Sequence, residues 1–204
     1  MSVRRKKWEP FAILETHFFT IDLLVGFSLP AYLHLRNRSR SDAGRIIQLF
    51  WLGVAIGLTW EIPIFLSAIF ATDPIVGFLR EPPLHPIVFM VAHAFWDGGL
   101  FLLGLTLVQA LCARPVLAGF RWPEIAVLIL WGQVSELAVE VISVLNQGWF
   151  YHGGHAWNPV LFHVAGHPIT LVPQLIWLAA PVVYYLSALR LTRHAPLHFG
   201  PRAA

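Results

Sequence analysis

The sequence predicts an all-α, polytopic membrane bundle of about five transmembrane helices, a four-helix core preceded by an N-terminal helix. Three observations predict it. The 204-residue chain is 57% hydrophobic and only 12% charged, against about 25% charged residues in an average soluble domain. Five stretches reach the roughly 20 mainly apolar residues that a span requires. Little chain remains outside them, so residues 1–204 are expected to form a single integral membrane domain. The net charge of +3 resides in loop arginines and lysines, which suits anionic lipid surfaces. No basic stripe is left over, so no nucleic-acid partner is expected.

The first stretch, about Phe11 to Leu35, is interrupted by Glu15, His17, Asp22 and Pro30. It has no clean apolar core followed by a small-residue cleavage site, so it is not expected to be a cleavable signal peptide. The second runs from about Ile46 to Ala71. The turn "REPPLHP" then breaks helix with three prolines and restarts it at about Pro86, opening a third span to Leu111. The fourth covers Glu124 to Leu145 and the fifth Ile169 to Leu191. The lone Cys112 excludes an internal disulfide.

Loop charge sets the expected orientation. With five spans, Arg36, Arg38, Arg40, Arg45, Arg114, Arg121, Arg190, Arg193 and Arg202 share one side, nine basic residues against five opposite. Four of those five are Arg4, Arg5, Lys6 and Lys7. If the first stretch lies in the interface instead, the count is thirteen against one. Both cases put the C-terminus in the cytoplasm and leave the side of the N-terminus open. A bacterial inner membrane is the expected location, with the endoplasmic reticulum as the eukaryotic counterpart.

An ionisable side chain at membrane depth costs a few kcal/mol, so it faces the bundle interior or a cavity. Here the second span carries Glu61. The third carries His93 and Asp97 within "HAFWDGG", the fourth Gln133, Glu136 and Glu140, and the fifth Gln174 beside Trp177. His93 and Asp97 are i and i+4 with Trp96 alongside; Gln133, Glu136 and Glu140 follow i, i+3, i+7. Gln174, Trp177 and Pro181 repeat that spacing in the last span. Four helices thus each show one polar or aromatic face, and a converging pocket is predicted. Interhelical hydrogen bonding, averaging under about 1 kcal/mol each, is the structural alternative for any one of them.

A carboxylic acid shielded from water can serve as a proton donor, and Glu61 with His93 forms such an acid/base pair. Trp60, Trp96 and Trp177 add ring faces that stabilise a cation by about 0.5–2 kcal/mol. This set points to protonation of an alkene in a hydrophobic substrate. No nucleophile triad, phosphate loop or nucleotide motif competes. The connection "NQGWFYHGGHAWNPVLFHVAGHP", Asn146 to Pro168, has no charged residue and suits a lid at the membrane interface. Its His152, His155, His163 and His167 offer a rival reading as iron or zinc ligands. Their glycine-broken spacing fixes no ligand geometry, so no metal and no other cofactor is expected.

Four segments resemble the EXPERA superfamily, which includes sterol double-bond isomerases of the emopamil-binding-protein type and the sigma-2 receptor. "WLGVAIGLTWEIPIF" resembles the isomerase helix that holds a catalytic glutamate, with Glu61 in that place. "REPPLHPIVFMVAHAF" is similar to the family's proline turn and following helix, where His93 falls on the position of a second glutamate. "WGQVSELAVE" resembles the fourth helix. "PQLIWLAAP" resembles the last, with Gln174 replacing an asparagine while Trp177 and Pro181 match. The resemblance covers residues 45–191. It departs at Gly57, where the isomerases carry a histidine one turn before the glutamate.

The reading that follows is an intramembrane isomerase. It would shift a double bond in a sterol-like or terpenoid lipid by protonation and deprotonation through a carbocation. Glu61 is expected to protonate the alkene, His93 to remove the second proton and Asp97 to orient the imidazole. Trp60, Trp96, Gln133, Glu136, Gln174 and Trp177 are expected to bind the substrate. The expected partners are that lipid and the surrounding membrane lipids, with a homodimer also compatible. Two alternatives stay open: a non-catalytic sterol or lipid binder, and a membrane terpene cyclase, whose helices carry a pair like Trp60–Glu61.

Overall fold

The computed structural model describes residues 9–38, 43–113 and 115–192; Arg4, Arg5, Lys6, Lys7, Arg40, Arg114, Arg193 and Arg202 of the charge count lie outside them. Five helices carry the fold: α1 (Glu9–Asn37), α2 (Ala43–Phe70), α3 (Pro86–Leu111), α4 (Trp122–Leu145) and α5 (Leu171–Thr192). All five are long and apolar enough to cross a membrane, so the chain is an integral multi-pass membrane protein. Four short strands complete it: β1 (Val76–Phe78), β2 (Trp149–Tyr151), β3 (Val160–Val164) and β4 (His167–Thr170).

Local chemistry sets the helix ends. His85 caps α3 by accepting the Ile87 N–H on its side chain, and Pro86 fills the first helical position, where no N–H is needed. At the end of α4, Gln147 takes the left-handed conformation (φ 57°). The Gly148 N–H reaches the Ser143 carbonyl and the Gln147 N–H the Val144 carbonyl, which closes the helix in a Schellman turn. The Ser143 hydroxyl then bonds both the N–H and the carbonyl of Trp149, at 2.7 and 2.8 Å. That clamp directs the chain into β2.

The interruptions predicted in the first span do not break α1, which runs through Pro30. Asp22 is not left facing lipid; His93 of α3 bonds it. The fifth helix starts at Leu171 rather than Ile169, because Ile169 and Thr170 belong to β4. The predicted lid is itself folded. β2 pairs antiparallel with β1 (Val76↔Tyr151, Phe78↔Trp149), and β3 pairs with β4. The second hairpin turns on Ala165 and Gly166, both at positive φ (51° and 86°), the geometry of a two-residue type I′ turn.

α2 and α3 approach most closely through small residues. A Cβ placed on Gly53 would lie 2.9 Å from the Gly98 Cα, and one on Gly57 would meet the Asp97 side chain. This Gly-x-x-x-Gly seam replaces a hydrophobic driving force with backbone-to-backbone contact. α4 and α5 meet in the same way at Gly132, whose missing Cβ leaves 2.8 Å to the Trp177 carbonyl. Phe50, Phe89, Leu105 and Tyr184 are completely buried between the helices.

Candidate functional site

All five helices and β2 enclose a cavity of about 340 Å³. Phe18, Ile21 and Asp22 come from α1, and Trp60, Glu61 and Ile64 from α2. α3 contributes His93, Trp96, Asp97 and Leu100, and α4 Glu136, Val139 and Ile142. Trp149, Tyr151, Pro173, Ile176 and Trp177 close the rest. Of the nine predicted site residues, seven therefore converge: Trp60, Glu61, His93, Trp96, Asp97, Glu136 and Trp177.

His93 is the hub. Its Nε2 lies 2.9 Å from Asp22 Oδ2, and its Nδ1 lies 3.8 Å from Glu61 Oε2. All three side chains are at most 14% exposed. The Trp149 ring sits 5.6 Å from the imidazole and that of Phe65 5.2 Å, so the ring is held on several sides. The Trp96 indole donates to the Asp22 carbonyl at 3.1 Å, which ties α1 to α3 beside the carboxylate.

Asp97 does not orient His93. Helical spacing puts both on one face, but the Asp97 carboxyl tucks against Gly57, where α2 offers no side chain, and its Oδ2 has no hydrogen-bond partner. The carboxylate that bonds the imidazole is Asp22, whose position in the first span marked it only as an interruption. Gln133 and Gln174 are not in the cavity wall. Their amides tie α4 to α5: Gln133 Nε2 donates to the Gln174 carbonyl at 2.9 Å, and Gln174 Nε2 to Glu140 Oε2 at 2.8 Å.

Sequence reading also missed Trp149 and Tyr151, because no helical periodicity points a loop residue into a bundle. Burial pushes the Tyr151 phenol well above its ordinary range, and the surrounding Glu136, Glu61, Glu140 and Asp97 push it further. It thus presents a neutral hydroxyl group. The aromatic wall is ordered: the Trp177 ring stacks on Phe101 (5.3 Å, 23°) and meets the edge of Trp60 at 5.9 Å.

Chemically, the cavity holds four carboxyls (Asp22, Glu61, Asp97, Glu136) and a single basic side chain, His93, in an otherwise apolar wall. Glu61 Oε2, Asp97 Oδ2 and Glu136 Oε1 are buried without hydrogen-bond partners. Buried polar atoms are ordinarily satisfied, so three unsatisfied carboxyl oxygens at one cavity set this wall apart from the rest of the bundle. Three of the four loop histidines are engaged elsewhere. His155 pairs with Asp73 at 3.2 Å and stacks on Trp157, while His152 and His167 lie against the Phe150 ring. Among the described residues, no three His, Cys, Asp or Glu side chains converge as a metal ion requires. The chain matches no protein-family model, and neither curated proteins nor solved structures give a match.

Proposed function

We propose that the protein isomerises a double bond in a sterol-like or terpenoid lipid by intramembrane acid/base catalysis, in the manner of the EXPERA isomerases. One observation carries this reading. An acid and a base, Glu61 Oε2 and His93 Nδ1, lie 3.8 Å apart in an apolar, tryptophan-walled cavity, and Asp22 holds the far nitrogen of the imidazole.

The carboxylate of Asp22 accepts the Nε2–H, which leaves the Nδ1 lone pair directed at the cavity. Glu61 in its acid form gives its proton to one alkene carbon, and the π pair becomes the new C–H bond. The cation left on the neighbouring carbon lies within a wall of indole faces. His93 Nδ1 then takes a proton from a carbon flanking the cation, and that C–H pair becomes the new double bond. No atom is gained or lost overall. Return of the proton from Nδ1 to Glu61 across the 3.8 Å gap resets the site. Because acid and base are neighbours, the proton arrives and leaves on the same face of the substrate.

The test is the purified protein in D₂O with a panel of sterols and terpenoids, followed by mass spectrometry beside a Glu61→Gln control. Deuterium in a rearranged product that disappears in Glu61→Gln is expected. Rearrangement that persists at full rate in Glu61→Gln overturns the assignment. Gly57 favours a second reading, a non-catalytic lipid binder, because Asp97 fills the space where the isomerases place a histidine. A lipid that co-purifies stoichiometrically and never acquires deuterium selects it.

A further inference from the structure

A second chamber, of about 520 Å³, lies between α2 and α5. It shares five wall residues with the central cavity: Trp60, Ile64, Tyr151, Pro173 and Ile176. No ionisable side chain other than Tyr151 lines it. Its other polar side chains are occupied. The Thr59 hydroxyl donates to the Ile56 carbonyl at 2.7 Å. Asn158 donates to the His152 carbonyl and accepts the Val172 N–H. The Tyr151 hydroxyl aside, the chamber presents no ionisable group among the described residues to hold a charged head group.

Its outer rim is apolar and open. Val183 of α5 is 51% exposed and Trp157 53% exposed, and Ala179 and Pro63 are exposed beside them. Apart from Trp157, which belongs to the α4–α5 connection, the rim lies on two membrane-spanning helices, whose outward faces meet acyl chains. A dry cavity of roughly 150 Å³ already accommodates a benzene ring, so this chamber takes a hydrocarbon arm several such units long.

Because these five side chains wall both spaces, we infer that a single lipid occupies both, with its alkene over Glu61 and its hydrocarbon arm laid past Trp60 into the α2–α5 chamber. The inference rests on the reading of the central cavity as a lipid site and adds the substrate class. The ligand is a lipid whose reacting double bond lies well inside the molecule or at its polar end, with a long saturated or isoprenoid arm beyond it. A compact bicyclic terpene lacks the arm this chamber fits.

The test uses two photoactivatable probes: geranylgeraniol with a diazirine on its terminal isoprene unit, and a sterol with a diazirine at the end of its side chain. Each is irradiated with the full-length protein in detergent, and adducts are mapped by mass spectrometry. At least one probe is expected to label Ile56, Ala179 or Val183, with unlabelled parent lipid in excess abolishing the adducts. The exposed Ala179→Trp variant, which fills the rim without entering the core, should lose them. Adducts confined to the central cavity overturn the inference, as do adducts that excess lipid or Ala179→Trp leaves unchanged. The labelling needs no turnover and should survive in Glu61→Gln. Failure of the deuterium experiment with groove labelling intact thus refutes the catalytic reading alone.

Discussion

Alanine placed at Gly57 and at Gly44 makes the same chemical change in one helix and should move stability in opposite directions. At Gly44, among the described residues nothing lies within 4 Å of the added methyl. Gly44 lies in the first turn of α2, so Gly44→Ala should bring at most the conformational gain over a mid-helix glycine, about 0.5–1 kcal/mol. At Gly57 the methyl would sit 2.8 Å from the Asp97 Cβ and 2.9 Å from its Cγ, where carbon atoms rest at about 3.5–4.0 Å. The carboxyl can rotate away, but its Cβ is anchored to α3, so the two helices must part by several tenths of an ångström. Overpacking of this kind costs about 1–3 kcal/mol. The helix gain at mid-helix Gly57 is at least as large as at Gly44, so their difference sets a lower bound on the clash. For a chain of this size it corresponds to roughly 2–12 °C in melting temperature. The nine tryptophans make intrinsic fluorescence in detergent the natural assay. Equal stability of Gly57→Ala and Gly44→Ala would falsify the claim that Asp97 is seated against the α2 backbone, and with it the packing of the cavity floor.

Three further substitutions separate chemistry from scaffold. Asp22→Asn keeps the shape but removes the charge from a 2.9 Å hydrogen bond to His93; such bonds contribute about 1.5–3 kcal/mol, or roughly 10- to 150-fold in rate. Deuterium incorporation per folded molecule should fall by up to that factor, and an undiminished rate would remove Asp22 from the site. Glu124 is completely buried, away from the cavity, and accepts from Arg121, the Tyr185 hydroxyl and the Leu117 N–H. Glu124→Gln should cost about 2–3 kcal/mol of stability while the rate per folded molecule holds, and a rate loss would show that it acts on the site. Ser143→Ala strands the buried Trp149 N–H at a cost of about 1–3 kcal/mol, and it frees the ring that covers His93. Unchanged stability would mean that the Ser143 clamp does not position β2.

The spans were legible because a membrane makes one crude demand, about 20 apolar residues in sequence, and the chain meets it five times. The seam between α2 and α3 was written there too, in Gly53 and Gly57, although its partner Gly98 becomes evident only once the helices are juxtaposed. The strands were not legible. β1 and β2 are three residues each, too short for a period-two pattern, and their pairing links segments some seventy residues apart that no local rule connects.

The site divides along the same physical line. Helical spacing correctly put Glu61, His93, Asp97, Glu136 and the tryptophans on inward faces, because a face is a property of one helix. Spacing carries no information about which helix stands opposite. His93 was therefore matched with Asp97, its i+4 neighbour, when its true partner comes from α1, 71 residues earlier. The signal for Asp22 was present all along: a lone carboxylate in an apolar span, the feature that singled out Glu61. It counted against the span because Glu15, His17 and Pro30 interrupt the same stretch. An acid in a lipid-facing helix does weaken the case for that helix, unless the helix is required to deliver the acid. α1 is the least buried of the five spans, yet it brings in the carboxylate that lies 2.9 Å from His93 Nε2. A charge that makes a membrane helix harder to insert is best explained by what it meets on the other side.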